Sequence, residues 1–228
     1  MTSRPAPSSA YRDSSGRDLE AYPRPSVTVD VAVLTVPPGR EAGLHVVTIE
    51  RAGRHRHGQR QLPGTFLHAG ERLVDAALRA LREKAALDGV RPVQLHVFDA
   101  LDRDDRGWVI AVAHLDVVPY ERIEPALGGQ VALEPVADLA GLAFDHDEIL
   151  RFATEHVRRE HETRPDPFAL LPEPFTLLDL RRLHEAVTGT PLVKDTFRRR
   201  MVPHLTETGG TRDGVVGKPA RLWERRTP

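Results

Sequence analysis

Charged side chains recur between residues 70 and 87 at spacings that a helix would bring together. Residues three and four apart are neighbours on a helix, so positions 80, 83 and 84 would share one face. Several carboxylates on such a face would hold hard divalent cations, which need oxygen ligands. This chain has Ala80, Glu83 and Lys84 there, which is one carboxylate beside one ammonium. We therefore expect metal binding at this face to be weak.

The surrounding sequence predicts the elements that would hold this face in place. Apolar residues recur every four positions through Leu73, Ala77, Leu81 and Ala85, which indicates an amphipathic helix over 71–87. A second helix is predicted over 146–160, with Asp145 as its N-cap. β-Branched and apolar runs predict strands, and the polar block 54–64 predicts a loop. The predicted strands cover 27–36, 44–53, 93–101 and 108–118.

Residues 63–90 resemble the Nudix box, whose pattern is G-x5-E-x7-R-E-U-x-E-E-x-G-U with U apolar. The chain departs from the pattern at four positions. These are Thr65 for glycine, Ala80 for glutamate, Lys84 for glutamate and Ala86 for glycine. It keeps the remaining positions: Glu71, Arg79, Leu81, Glu83 and Leu87. Because two glutamates are replaced, we expect no catalytic residue, no metal and no cofactor.

The Nudix resemblance covers about residues 23–160 and implies an α/β/α sandwich with a mixed sheet. It also implies a cleft that binds ADP-ribose or a related nucleotide. Arginines suit such a ligand because a guanidinium recognises phosphate through two hydrogen bonds. The residues expected to bind the ligand are Arg51, Arg60, Gly64, Phe66, Glu71, Arg79, Glu83 and Lys84.

The C-terminal part of the chain has a different character. Residues 175–228 hold 11 basic against 6 acidic side chains, while the first 174 hold 21 against 27. A charged, proline-interrupted segment at 161–174 predicts a linker. After it, Thr176 and Asp179 resemble a capping box, and Thr190-Pro191 can begin a further helical stretch. Residues 205–225 predict a β-hairpin. Helix, short helix, basic helix and hairpin is the order of a winged helix-turn-helix domain over 175–228.

This C-terminal segment is similar to the winged-helix half of the Nudix-related transcriptional regulators of NAD metabolism. The resemblance implies an α+β protein that acts as a homodimeric repressor on a double-stranded DNA operator, with ADP-ribose or a related nucleotide as effector. A recognition helix places its side chains against bases and phosphates in the major groove. The residues expected to contact DNA are Lys194, Thr196, Arg198, Arg199 and, in the wing, Lys218.

Composition bounds these expectations. A chain of 228 residues that is 40% hydrophobic suits a folded protein with room for two domains. It contains no cysteine, which excludes disulfides and thiol nucleophiles. Residues 1–22 are polar, without an apolar run, and predict a disordered tail rather than a signal peptide or membrane span. We expect a cytoplasmic protein.

Two other functions stay open on the sequence. The first is a working Nudix pyrophosphohydrolase acting on ADP-ribose or a similar nucleoside diphosphate derivative. The identities of positions 80 and 84 argue against it. The second keeps DNA binding but gives the Nudix domain only a scaffolding role in dimerisation. Thr65 and Gln61, in the loop that would form the cleft, are compatible with that role.

Overall fold

The computed structural model describes residues 12–39, 43–213 and 219–226. Strands alternate with two long helices up to residue 163, and shorter elements follow. The α-helices are α1 (Leu73–Ala85), α2 (His146–Thr163), α3 (Leu177–Thr188) and α4 (Lys194–Met201). The strands are β1 (Ser26–Thr35), β2 (His45–Glu50), β3 (Arg60–Gln61), β4 (Gly64–Phe66), β5 (Val93–Phe98), β6 (Val109–Val117), β7 (Val131–Pro135), β8 (Phe175–Thr176), β9 (Leu205–Arg212) and β10 (Ala220–Arg225).

A mixed sheet of seven strands forms the centre of the first domain. Its main order is β3-β2-β1-β6-β5, with β4 paired to β1 and β7 to β2. Strand β1 runs parallel to β6 and antiparallel to β2 and β4. The near-continuous apolar run of β1 has a direct cause, because both faces of this strand are covered. Val29, Val31 and Val33 belong to the core under α1, whereas Ala32 and Leu34 belong to the core under α2. The α/β/α sandwich is confirmed.

Helix α1 presents Ala76, Ala77 and Leu81 to the sheet, which confirms the predicted amphipathic helix. It ends at Ala86, whose φ of 52° lies in the left-handed region. A residue with a Cβ adopts that region at a cost of about 1–2 kcal/mol. This is the position at which the Nudix box has glycine. Glycine adopts the left-handed conformation without this cost, and this chain has alanine in the same conformation.

Helix α2 covers the opposite face of the sheet and also reaches the C-terminal domain. Ile149, Ala153 and Val157 lie in one buried core together with Leu183 and Val187 of α3. Arg158 adds a polar contact, because its Nε donates to the Val187 carbonyl at 3.1 Å. The two domains therefore share a hydrophobic core along α2.

The C-terminal domain is a winged helix, as predicted. Helices α3 and α4 pack on a three-stranded sheet of order β8-β10-β9, and strands β9 and β10 form the predicted hairpin. The capping box is also confirmed: Asp179 N–H donates to Thr176 Oγ1 at 3.1 Å, and Thr176 N–H donates to Asp179 at 2.9 Å. The core of this domain comprises Phe175, Leu180, Phe197, Met201, Leu205 and Trp223.

The segment that connects the two domains is held in place. Helix α2 continues to Thr163, three residues beyond its predicted end. The Asp166 carboxylate is fully buried and accepts hydrogen bonds from the N–H groups of Leu170 and Leu171. Arg225 of β10 donates to the same carboxylate at 2.7 Å. The wing strand is thereby tied to the connecting segment.

The predicted start of α2 at His146 is confirmed but its expected capping bond is absent, and the predicted start of α4 is wrong. Asp145 occupies the N-cap position of α2, but its side chain makes no capping bond because Arg103 binds its carboxylate. Thr190-Pro191 does not begin a helix, since α4 starts at Lys194, and residues 189–193, all of them described, contain no helical turn. Glu185 and Arg181 bind the backbone of Leu192 and keep it outside the helix. The short helix expected between α3 and α4 is therefore wrong.

Two predicted loops also differ. The block 54–64 contains β3 and the first residue of β4, because Arg60 and Gln61 pair with the end of β2. Within the predicted tail, residues 12–22 include a 3-10 helix over Leu19–Ala21 that is capped by the Asp18 carboxylate. Residues 1–11 lie outside the described part of the chain. No helix among the described residues is long and apolar enough to cross a membrane.

Candidate functional site

A polar cavity of about 360 Å³ opens in the first domain between β1, β4, the end of α1 and the start of α2. Four cations and two carboxylates contribute to its walls, together with two aromatic rings. The lining residues are Thr28, Asp30, Arg51, Gln61, Gly64, Thr65, Phe66, His68, Lys84, Arg103, Asp104, Arg106, Phe144 and His146. We call this cavity the cleft.

The structure brings only part of the predicted ligand set to the cleft. Arg51, Gly64, Phe66 and Lys84 line it. The other four predicted residues, which do not appear in its lining, are Arg60, Glu71, Arg79 and Glu83. Arg60 is turned toward Glu134, with 3.3 Å between Nε and the carboxylate. The role of these eight side chains in binding stays a prediction.

Glu71 and Arg79 bind each other. The Arg79 guanidinium donates to both Glu71 carboxylate oxygens at 2.8 and 2.9 Å, and also to the Phe66 carbonyl at 3.0 Å. The hydrogen bond from Arg79 is the main reason why the pKa of Glu71 falls to about 2, with a second bond from the His68 N–H. These two residues of the box hold the 65–71 loop against α1, next to the cleft.

A buried network that the sequence analysis missed forms the floor of the cleft. Arg103 donates to the Asp145 carboxylate at 2.6 and 2.8 Å and lies 3.8 Å from Asp30. His146 Nε2 lies 3.5 Å from Asp30 on the other side. Burial alone would raise the pKa of Asp30, but His146 and Arg103 outweigh it and the pKa is lowered. The ionised Asp30 therefore stabilises the fold above its ordinary pKa of 3.8, and this contribution is lost as the pH falls below that value.

The tautomer of His146 follows from its contacts. Its Nδ1 accepts a hydrogen bond from the Leu62 N–H at 3.0 Å, so the ring proton of the neutral form lies on Nε2, toward Asp30. His146 is thus a structural partner of the carboxylate. No sequence signal distinguished it, because its partners are 84 and 116 residues away along the chain.

Three guanidinium groups surround the ring of Phe144 at the mouth of the cleft. Arg51, Arg56 and Arg106 lie 4.8–4.9 Å from its centroid. Arg106 also lies 5.1 Å from the Phe66 ring and is anchored by Asp104 at 2.6 Å. Burial, followed by repulsion from Arg106 and Arg56, lowers the pKa of Arg51. This crowding of cations attracts anions, and the partly exposed Phe66 ring beside it offers apolar surface to an aromatic group.

Arg51 is the cation of this group that a ligand would most easily engage. Its guanidinium donates to neutral acceptors, the Gln61 side chain and the His55 carbonyl. Among the described residues, no carboxylate lies within 4 Å of its guanidinium nitrogens. An incoming phosphate would supply the missing negative charge.

The divalent cation implied by the Nudix resemblance does not fit the residues present. Ala80 is buried against the sheet, and the Glu83 carboxylate is 55% exposed and 4.0 Å from Arg79. The Lys84 ammonium donates to the Gly64 carbonyl. Among the described residues, no group of three acidic or histidine side chains is placed to hold a metal ion.

The second candidate site is the exposed face of α4. Lys194, Thr196, Arg198 and Arg199 are all exposed, while Phe197 and Met201 point into the domain core as predicted. Arg200 is exposed as well and extends the basic surface. Lys218, the predicted contact in the wing, lies outside the described residues.

These features define a Nudix fold joined to a winged-helix domain with a basic helix. Two family models match the chain in that order: the NUDIX domain over residues 25–161 and the NrtR DNA-binding winged helix domain over residues 167–224. The chain belongs to the Nudix family and is a homologue of the NrtR regulators.

Four matches to three proteins illustrate the similarity. The ADPR responsive transcriptional repressor NtrR of Acinetobacter baylyi is 30% identical over 210 residues, 89% of this chain and 82% of the relative. The crystal structure of Shewanella oneidensis NrtR with a 27mer DNA matches with TM-score 0.72 and 31% identity, over 88% and 93% of the chains. The NUDIX domain of the same S. oneidensis protein, complexed with ADP ribose, matches with TM-score 0.53 and 28% identity, over 63% of this chain and 95% of that domain. The ADP-ribose pyrophosphatase of Methanocaldococcus jannaschii is 30% identical over 139 residues, 59% of this chain and 78% of that protein.

The buried network predicts a large effect of Arg103→Ala on stability. Removing the guanidinium leaves Asp30 and Asp145 short of a counter-charge inside the protein, so we expect unfolding free energy to fall by about 3–5 kcal/mol. Arg151→Ala is the control, because that arginine bridges exposed glutamates on α2 and should cost about 0–1 kcal/mol. Urea denaturation measures both. Equal losses in the two variants would contradict the role given to the network.

Proposed function

We propose that this protein is a DNA-binding transcriptional repressor whose Nudix domain binds ADP-ribose or a related nucleotide as effector. The observation that carries the proposal is the presence, in one chain, of a cationic cleft with aromatic walls and an exposed basic helix on a winged-helix domain. The A. baylyi relative has this function by name. The S. oneidensis structures contain the corresponding ligands, DNA and ADP ribose.

The cleft suits a nucleoside diphosphate derivative. Arg51 and Lys84 are placed for the diphosphate, since both are cations on the cleft wall with neutral hydrogen-bond acceptors. The rings of Phe66 and Phe144 offer apolar surface for the remainder of the ligand. The roles of Arg60, Glu71, Arg79 and Glu83 are then indirect, through the loop and strand that border the cleft.

Helix α4 suits the major groove. Lys194 and Arg198 are four residues apart and share one exposed face, with Arg199 beside it. The buried Phe197 and Met201 fix the rotation of the helix about its axis, so this face stays directed outward. Thr196 and Lys218 remain predicted contacts.

The proposed regulation is a thermodynamic linkage. If effector and DNA prefer different arrangements of the two domains, each weakens the binding of the other to the same extent. The repressor would then release its operator when the nucleotide accumulates. A cytoplasmic location, expected from the sequence, is part of this proposal.

We also propose that the repressor is a homodimer. A twofold dimer presents two recognition helices to a palindromic operator. The candidate contact surface is the outer edge of the sheet, because β5 is an edge strand. Exposed apolar side chains lie on β5 and in the segment that connects it to β6. These side chains are Val93, Val97, Leu101 and Trp108. An exposed apolar edge of this kind is usually covered in a soluble protein.

The remaining part of the proposal is that the protein does not hydrolyse its nucleotide. The alternative is a hydrolase, which the M. jannaschii relative favours by its name. The composition of the box argues against it here, because Ala80 and Lys84 leave the helix face without the carboxylates that a metal-dependent hydrolase needs. A purely scaffolding Nudix domain is the other alternative, and the crowding of cations in the cleft argues against that one.

The first test concerns hydrolysis. Incubated with ADP-ribose and Mg²⁺ or Mn²⁺, the protein should release no AMP above background in a chromatographic assay. The double variant Ala80→Glu with Lys84→Glu restores the box carboxylates and is expected to gain at most a trace of activity. Turnover by the parent in the ordinary enzyme range, about 1 per second or more, would show that the chain is an enzyme.

The second test concerns DNA. A pull-down from genomic fragments first identifies the operator, and gel shifts across a salt series then compare variants. Arg198→Ala should cost about 1–3 kcal/mol of binding and relax one operator position, as expected for a base-reading arginine. Lys194→Ala should weaken all sequences alike and reduce the salt dependence by about one unit.

Arg151→Ala serves as the control for these DNA variants, because it removes an exposed arginine from the first domain. Sedimentation of the complex should give two chains per operator. If both α4 variants bind the operator as tightly as the parent, the recognition surface lies elsewhere.

A further inference from the structure

We propose that Lys84 takes the place of the divalent cation in this cleft, so that the diphosphate of the effector is bound without metal. The inference rests on the proposed function, because it concerns the same site and the same class of ligand. It would explain why the residues of the box do not fit a metal ion: the regulator does not need one to bind its effector.

The position of the ammonium group is the first argument. Lys84 is on the last turn of α1 and its Nζ donates to the carbonyl of Gly64, on the facing strand β4. Gly64 in turn packs so closely on Asp30 that a Cβ at this position would overlap the carboxylate. The ammonium therefore binds the carbonyl oxygen of a residue that itself packs on a buried carboxylate, and carbonyl and carboxylate oxygens are the groups that otherwise bind a divalent cation.

Charge is the second argument. Burial lowers the pKa of Lys84, with Asp30 acting in the opposite direction. Among the charged residues that line the cleft, the four cations are Arg51, Lys84, Arg103 and Arg106, against the carboxylates Asp30 and Asp104. Arg103 and Arg106 are bound by carboxylates, whereas Arg51 and Lys84 have none within 4 Å among the described residues. These two cations match in number the two negative charges of a diphosphate diester at neutral pH. A divalent cation in the cleft would be repelled by the ammonium.

The experiment is calorimetry of ADP-ribose binding in EDTA and, separately, in Mg²⁺. The parent should bind with the same affinity in both. Lys84→Met keeps the length and packing of the side chain but removes its charge, so affinity should fall about tenfold or more. Lys84→Glu should bind poorly in EDTA and recover affinity when Mg²⁺ is added, because it restores an oxygen ligand. Thermal unfolding checks that each variant is folded.

Arg82→Met is the matched control, since it removes a cation from an exposed position of α1 outside the cleft and should leave affinity unchanged. Strict Mg²⁺ dependence of the parent, or full affinity of folded Lys84→Met, would overturn the inference and leave the proposed effector intact. No binding by the parent under either condition would overturn the proposed effector, and the inference with it.

A different set of contacts carries a second inference: we infer that α2 transmits the state of the cleft to the recognition helix. Its first residue, His146, lies in the cleft beside Asp30, and its last turns lie in the core shared with α3. The 18 residues of α2 span about 27 Å at the rise of an α-helix. One element therefore extends from the cleft to the helix on which α4 packs.

Buried rings continue from α2 to α4. The ring of His161, near the end of α2, packs edge-on against His184 of α3 with centroids 5.1 Å apart. His184 packs in the same way against Phe197 of α4 at 4.9 Å. Burial, and to a lesser extent His161, lowers the pKa of His184 to about 4, so the ring is neutral at physiological pH. A displacement of α2 thus reaches Phe197 through one intervening side chain.

The contact between α2 and α3 is not fully satisfied in this arrangement. His161 Nδ1 bonds to the Val157 carbonyl at 2.8 Å, while its Nε2 is buried without a partner among the described residues. The His161 side chain is therefore held by the backbone of α2 on one side and by its ring contact with α3 on the other.

The experiment measures the ratio of operator Kd values with and without saturating ADP-ribose. Its folded variants are His184→Phe and, independently, His161→Phe, which keep an aromatic ring at the interface. Each ligand alone should bind within about threefold of the parent, but the ratio should move toward one. Leu178→Ala, at an exposed position of α3, is the control and should keep the parental ratio.

An unchanged ratio in both folded histidine variants would overturn this second inference. A parent whose DNA affinity does not respond to ADP-ribose would instead overturn the linkage in the proposed function, and the route through α2 with it.

Discussion

The buried carboxylate of Asp30 is the constraint on which the cleft depends. It lies in the central strand β1 between Val29 and Val31, and its pKa is lowered because His146, Arg103 and Thr28 outweigh the effect of burial. The first two of these partners come from the start of α2 and from the loop after β5. One charge therefore fixes the distance between the sheet, the loop and the helix. An uncompensated charge at this depth would destabilise all three.

The remainder of the site follows from this neutralised floor. Because Asp30 and Asp104 already have partners, the additional cations, Arg51 and Lys84, form a surplus of positive charge. A surplus that the protein does not compensate internally costs stability, and it is retained where a ligand supplies the opposite charge. The fold and the proposed anion site are thus parts of one electrostatic arrangement.

The sequence predicted most helices and strands for reasons that are local, and four of the eight ligand residues expected from the family resemblance line the cleft. Leu73, Ala77 and Leu81 signal their helix through spacing alone, and Thr176 with Asp179 signals a helix start within four residues. Asp30, Arg103 and His146 were missed because their partners are distant in sequence, and a lone aspartate in an apolar strand carries no pattern. The predicted start of α4 at Thr190-Pro191 was wrong because Arg181 and Glu185 of α3 bind the Leu192 backbone, so the helix begins only after it.

The retained and replaced positions of the box separate according to what they contact. Glu71 and Arg79 bind each other and the backbone of the loop, so they are needed for the shape of the cleft whether or not chemistry occurs there. Positions 80 and 84 make other contacts: Ala80 is buried against the sheet, and Lys84 lines the cleft and donates to the Gly64 carbonyl. A regulator that binds a nucleotide without cleaving it has to keep the first pair and is free to change the second. The pattern of substitution in this chain fits the proposed function, in which the nucleotide is bound but not hydrolysed.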